Sequence, residues 1–399
     1  METRDYRTRT VFKSADNRLK PAGNAWVIGL DIGYSAVKAF SRNAIACIPS
    51  YAQESTMDLT LDVGADQDIP TIIYKGEDGV KWSVGAMAQD MIFATDTNAG
   101  SLSIYDRERY ASPMFRVITR VGIAAALRKN EFGDSTGKEI LVQTGLPPKY
   151  MDSDQRKLRK VIAGHHQFSV KFGNDKEEFF DFTIKEENVF IVDQPMGSLI
   201  SVATGKDFHL TKDAGPMFRS RVLIMDAGFG TLDCYPVFRS HIDREKSRTY
   251  SNLGMKQVLK ETRNRILDTY GTEISVPAMQ QYLEKGEVRV RDKEDEYRTY
   301  RVKFDPILEQ ASQDVCDKAL QQLMIDYPDL IDYDYLIITG GTCAAWSGYI
   351  RNSKYFRNAD TIKLISGNAG DPDLPYLFSN VRGYYIYLCS QTFSMNKSR

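Results

Sequence analysis

The feature that most constrains this chain is the stretch from Val222 to Cys234, in which an apolar run ends at Asp226, enters a tight turn at Gly228-Phe229-Gly230-Thr231, and leaves as a second apolar run. Apolar runs on both sides of a glycine turn read as two buried strands of a hairpin. The plan occurs twice. From Ile28 to Phe40, Asp31, Gly33 and Tyr34 stand where the later copy has Asp226, Gly228 and Phe229, 195 residues downstream. Such a repeat predicts two similar halves, and 399 residues fit two or three domains at about 150 residues each.

The chemistry suited to such turns is phosphate binding. A phosphate chain needs several backbone N–H donors converging without Cβ atoms in the way, and glycine turns provide them. Gly228, Phe229, Gly230 and Thr231 form one such turn, and Gly33, Tyr34 and Ser35 the other. Each follows an aspartate at a strand end. Asp31 and Asp226 are therefore the candidates to hold the water shell of a Mg²⁺ ion, which gives up its waters reluctantly. Lys38, on the outgoing strand, can reach back as a point charge. One Asp-x-Gly hairpin alone is commonplace. Two copies, joined by a third turn at Gly340-Gly341-Thr342 able to lie flat against a base or ribose, favour a nucleotide.

Other nucleotide motifs are excluded. Gly133 to Lys138 has three residues between its glycines and is followed by Glu139, so it is not a P-loop, and no Gly-x-Gly-x-x-Gly run opens a helix.

The rest of the chain reads as an α/β plan. Residues 1–24 are polar and are expected to be a mobile arm. Strands are expected at Trp26 to Ile32, Ala36 to Ser41, Ile69 to Tyr74, Lys81 to Gly85, Glu139 to Thr144, 166–172, 178–184 and Val189 to Asp193. Pro113 to Lys129 has a helical period, Ser153 or Asp154 can cap a short helix, and a further helix follows Pro195. The second half repeats the plan. Strands run from Arg221 to Asp226, Leu232 to Phe238 and Tyr333 to Thr339, with Pro236 implying an edge or a bulge. Helices are expected from Leu253 to Tyr270, from Asp305, from Ala344 to Arg351 and after Pro375, with a charged hairpin turning at Asp292 to Glu296.

Lys plus Arg is 52 and Asp plus Glu is 53, so the whole molecule has no field that would draw nucleic acid or anionic lipid directly. The five cysteines form no ligand pattern, no apolar run reaches the roughly 20 residues that cross a bilayer, and the first residues lack the apolar core of a signal peptide. A cytoplasmic setting is expected. His165-His166 reads as a solvent-facing strand start and not as a metal site, since no third ligand is nearby.

The segments around Asp31 to Lys38, Asp226 to Asp233 and Ile338 to Thr342 resemble the phosphate 1, phosphate 2 and adenosine motifs of the actin, chaperone and sugar-kinase superfamily. Within it, Thr144-Gly-Leu-Pro-Pro148, Val192-Asp-Gln-Pro-Met-Gly197, Phe378-Ser-Asn-Val-Arg-Gly383 and Ile69-Pro-Thr71 leading to Val84-Gly85 resemble the bacterial plasmid-segregation actins of the ParM (StbA) type. The resemblance spans about Trp26 to Tyr387.

It implies an actin-like fold: two similar α/β domains, each a mixed sheet flanked by helices, with a nucleotide cleft between them. Residues 25–194 with about 373–399 would form domain I and 195–372 domain II. It implies an ATPase, GTP also being accepted, with Mg²⁺ as cofactor, that polymerises into filaments moving plasmid DNA through a DNA-binding adaptor, without direct membrane attachment. The family places a Gln or Glu at the strand end joining the halves. Gln194 stands there, to position the attacking water, with Asp193 as runner-up. Competing readings are a cytoskeletal actin homologue without a role in segregation and a small-molecule kinase of the same superfamily. The sequence departs from relatives at Phe229 and Thr342, where glycine is frequent, but neither removes a backbone donor.

Overall fold

A computed structural model describes residues 2–55, 71–91, 108–292, 295, 298–357 and 362–397. The chain divides into two compact bodies. The N-terminal body holds most of residues 9–211 and takes back the chain from Phe378 onward; the C-terminal body holds Lys212–Leu377 together with Met1–Thr8.

The N-terminal body is built on a six-stranded sheet in the order Val11–Ser14, Ala44–Pro49, Ala36–Ser41, Ala25–Ile32, Glu139–Leu146, Val189–Asp193. The first four pair antiparallel and the last three parallel. Ala25–Ile32 and Glu139–Leu146 are buried along nearly their whole length, Gln143 and Thr144 included, because helices cover both faces, as a parallel segment requires. Helix Pro113–Leu127 packs Gly122 against Leu30 and Val37, while the last helix, Ser379–Lys397, packs on the opposite face, where Gly29 points.

That last helix approaches more closely than side chains permit. A Cβ on Gly29 would lie 2.3 Å from the Val381 carbonyl oxygen, and one on Gly383 would lie 1.8 Å from the Gly197 carbonyl oxygen. Gly197 belongs to helix Pro195–Ala203, so the two helices cross backbone to backbone. Arg382, 2% exposed, then closes the end of Pro195–Ala203 by donating to the carbonyls of Ser201, Thr204 and Gly205 at 2.8, 3.0 and 2.7 Å. A buried guanidinium with its donors on helix-end carbonyls acts as a C-cap. Helix Pro195–Ala203 therefore sits in the N-terminal body.

The C-terminal body repeats the sheet as His241–Ile242, Leu232–Phe238, Arg221–Ala227, Tyr335–Thr339, Lys363–Ser366. Arg221–Ala227 again lies between an antiparallel hairpin partner and a parallel strand. Helices Met255–Tyr270, Val276–Lys285, Asp305–Asp326 and Gly341–Asn352 accompany it, with a hairpin of Glu287–Arg291 and Thr299–Lys303.

Several details differ from the sequence expectations. Residues 1–24 contain packed elements: Val11–Ser14 extends the sheet along Ala44–Pro49, Tyr385 donates to the Leu19 carbonyl at 2.5 Å, and Thr3 and Tyr6 are buried in the C-terminal body. Val11–Ser14 is held by backbone bonds and buries little, so it has no apolar signature. Pro236 lies on a strand paired on both sides, at the gap between the outer partners, where its own carbonyl accepts from Asp243 N–H at 2.9 Å. Helix Met151–Ile162 begins before Ser153 and Asp154, and Asp154 is instead buried against the Tyr110 hydroxyl at 3.2 Å. His166 is a core residue stacked on Phe182, with its pKa lowered to about 4 mainly by burial; only His165 meets solvent. Helix Val276–Lys285 was not expected. Residues 69–70 and most of the expected turn at 292–296 lie outside the described residues.

Gly383→Ala should cost about 3 kcal/mol, because backbone faces backbone and neither side can give way. Gly348→Ala, where nothing lies within 4 Å, should be neutral or stabilising. Urea unfolding midpoints compare the two directly. Equal midpoints would contradict the close crossing.

Candidate functional site

Each body presents one glycine turn at the end of its central strand. In the N-terminal body the hairpin closes through Gly33 N–H on the Ala36 carbonyl at 3.0 Å. Ser50 fixes the turn from below, its N–H on the Ser35 carbonyl at 2.9 Å and its hydroxyl on the Gly33 carbonyl at 2.9 Å. Asp31 faces Lys38 across the hairpin, and the two form a nearly buried ion pair at 2.8 Å. The charge of Lys38 is thus largely neutralised within the hairpin. A Cβ on Gly33 would be tight, 3.2 Å from the Ala36 oxygen and 3.4 Å from the Lys38 ammonium.

In the C-terminal body the same bond recurs, Gly228 N–H on the Thr231 carbonyl at 2.9 Å. Here the turn carbonyls are pinned by a helix start. Met255 N–H donates to the Gly228 carbonyl at 3.2 Å and Lys256 N–H to the Phe229 carbonyl at 2.8 Å. Gly254, just before that helix, is packed so closely that a Cβ would meet the Gly228 and Phe229 oxygens at 2.9 and 2.8 Å. A peptide's C=O and N–H point in opposite directions. Pinning the carbonyls of Gly228 and Phe229 toward the helix aims the N–H groups of Phe229 and Gly230 the other way.

The third turn locks onto the second. Gly340 has φ +88°, and a Cβ there would lie 2.3 Å from the Ala227 oxygen and 2.4 Å from Asp226 Oδ1, so only glycine fits. Thr342 is buried and its hydroxyl donates to the Gly228 carbonyl at 2.7 Å, a fastening role. Gly341, which opens helix Gly341–Asn352, has nothing within 4 Å of a built Cβ and is the open position of the three.

Gln194 is in the N-terminal body, between Val189–Asp193 and Pro195–Ala203. Its N–H donates to the Leu146 carbonyl at 2.9 Å, its carbonyl accepts from Gly197 N–H at 3.1 Å and from the Tyr384 hydroxyl at 3.3 Å, and its side chain makes no capping bond to the helix. The backbone of Gln194 is thus fixed at the junction of the strand and the helix. Asp193 lies one residue earlier, at the half-buried end of the strand.

Thus Asp31, Gly33, Tyr34, Ser35, Lys38 and Gln194 belong to one body, and Asp226, Gly228, Phe229, Gly230, Thr231, Gly340, Gly341 and Thr342 to the other. Two residues escaped the sequence reading. Asp233 occupies the hairpin position of Lys38 and faces Asp226 in the ladder; the same 195-residue offset that matched the aspartates would have found it. Burial first, and the Asp226 carboxylate second among the raising causes, push Asp233 up to about 6, against hydrogen bonds from Thr231 and Thr249. Arg109 lies over the Tyr34 ring at 4.6 Å and has no motif to announce it.

A carboxyl whose folded-state pKa of about 6 exceeds its ordinary 3.8 favours folding fully below about pH 4, and this contribution is lost as pH rises through 6. Asp233→Asn keeps an acceptor for Thr231 and removes the titration. Its stability relative to wild type should therefore rise between pH 4.5 and 7.5, by roughly 3 kcal/mol at most. Denaturant unfolding at both pH values measures this; a constant difference would contradict it.

Residues 29–197 match the family model of the actin like proteins N terminal domain. No curated protein sequence matches the chain. Among solved structures it is similar to the chain of a 15-stranded ParM filament from Clostridium botulinum, with TM-score 0.67 and 16% identity over 92% of this chain and 100% of that one. It is similar to a non-polymerisable quadruple mutant of pCBH ParM, at 0.64 and 17% over 91% and 99%. An archaeal actin homolog, Ta0583, in complex with ADP matches at 0.57 and 15% over 90% and 98%. The chain has the actin-like fold, and its residues 29–197 match the N-terminal domain of the actin-like proteins.

Proposed function

We propose that this chain is an actin-like ATPase that polymerises with nucleotide into cytomotive filaments and moves plasmid DNA. The observation that carries the reading is the duplicated turn: in each body a buried aspartate is followed by a glycine hairpin closed by the same backbone bond, at 3.0 and 2.9 Å. The filament of the Clostridium botulinum neighbour supports self-association, and the ADP complex of the archaeal neighbour supports a nucleotide ligand.

ATP, or GTP, would be held by the amides of Tyr34 and Ser35 and of Phe229 and Gly230, with Gly340 and Gly341 against the base or ribose. Among the described residues no group of three or more His, Cys, Asp and Glu could hold a metal alone. Mg²⁺ would supply charge neutralisation on the phosphates while Asp226 and Asp31 hold its waters. The Asp31–Lys38 pair is neutral, whereas Asp226 faces a second carboxyl, so the Asp226 side offers the stronger pull on a cation. Gln194 would orient the attacking water with its amide, a positioning role, because an amide is no strong base. A DNA-binding adaptor would link the filament to the plasmid. A reducing, cytoplasmic setting would suit the five buried, free cysteines.

Light scattering with ATP and Mg²⁺ should show cooperative assembly above a critical concentration. A protein that hydrolyses ATP yet stays monomeric at high concentration would contradict the filament role. Gln194→Ala should slow phosphate release about a hundredfold and leave ATP-driven assembly intact; parallel loss of both would assign Gln194 a structural part instead.

A further inference from the structure

Arg109 opens a single 3-10 turn, Arg109–Ala111, directly before Ser112 caps helix Pro113–Leu127. Its guanidinium carbon lies 4.6 Å from the centre of the Tyr34 ring and 5.3 Å from those of Tyr110 and Phe115. Tyr34 is the tip of the first glycine turn. Three aromatic rings thus seat a permanent cation against the loop proposed to hold phosphate, and each face favours it electrostatically.

The seat satisfies the guanidinium only in part, through a hydrogen bond to the Tyr110 hydroxyl. Nη1 is buried and has no hydrogen-bond partner, and among the described residues Arg109 forms no ion pair with a carboxylate. The nearby Asp154 is engaged elsewhere, accepting from the Tyr110 hydroxyl at 3.2 Å and from the Ser153 hydroxyl at 2.9 Å. A buried N–H without an acceptor is costly, more so on a charged group. The other cation of the turn, Lys38, is already tied to Asp31 at 2.8 Å.

We propose that Arg109 is a phosphate-binding residue of the first turn: seated on Tyr34, it supplies the positive charge that Lys38 cannot, and donates its N–H groups to the nucleotide's phosphate oxygens. This rests on the nucleotide reading above. A planar guanidinium suits the task because its paired donors match two phosphate oxygens at once. Tyr34 is then a platform, which gives a side-chain role to a position first read as a backbone donor alone.

The test is titration of the full-length protein with ATP, ADP and adenosine at several salt concentrations. Arg109→Gln should weaken ATP and ADP about tenfold or more, leave adenosine unchanged, and flatten the dependence of affinity on salt. Arg109→Lys, which keeps charge but loses the planar stack, should bind at an intermediate level with the wild-type salt dependence. Tyr34→Leu should weaken ATP as Arg109→Gln does. The proposal is overturned if Arg109→Gln binds ATP like wild type, or if it loses all three ligands equally along with a lowered melting temperature in their absence, which would mean that Arg109 only fastens the fold. A wild-type protein that binds none of the three overturns the nucleotide reading, and this proposal with it.

Discussion

The orientation of the turn from Gly228 to Thr231 is set by hydrogen bonds to its carbonyls, from Met255 and Lys256 at a helix start, from the Thr342 hydroxyl and from Gly228 across the hairpin. With the oxygens drawn into the body, the intervening amides must face outward, and an outward row of N–H groups is an anion site. The constraint reaches far along the chain. It recruits the start of helix Met255–Tyr270 and the third glycine turn, and it requires glycine at 254 and 340, where a side chain would collide with the turn or with Asp226.

The two halves share a backbone plan but not a charge plan. Across the first hairpin Asp31 faces Lys38; across the second, at matching positions, Asp226 faces Asp233. The first is a closed ion pair, and in the second burial pushes the Asp233 carboxyl up to about 6. The same backbone turn thus stands beside two carboxyls in the C-terminal body and beside an ion pair, with Arg109 over Tyr34, in the N-terminal body.

Much of the fold was legible in the sequence because its central strands are buried on both faces and read as apolar runs ended by glycine. Ala25–Ile32 and Arg221–Ala227 emerge within a residue or so of expectation, as does the half-buried edge strand Val189–Asp193, which Pro195 ends. What was not legible depends on partners distant in sequence. Val11–Ser14 pairs mainly through its backbone and buries little, Pro236 is tolerated by a gap between two outer strands, and His166 is buried by an aromatic that lies on the neighbouring strand. Likewise Gly29, Gly197 and Gly383 show in sequence as isolated glycines, and only the helix crossing explains them. At the site, motifs delivered the turns and aspartates, whereas Thr342 proved to be a fastener and Arg109 carried no motif at all.

The central claim is that backbone amides of both turns hold the same nucleotide's phosphates. Residue-resolved hydrogen exchange with Mg²⁺ and ATP, against adenosine as the control, tests it most directly. The account predicts that ATP slows exchange at Tyr34 and Ser35 and at Phe229 and Gly230 together, and that adenosine does not. Protection confined to one turn, or equal with adenosine, would contradict it.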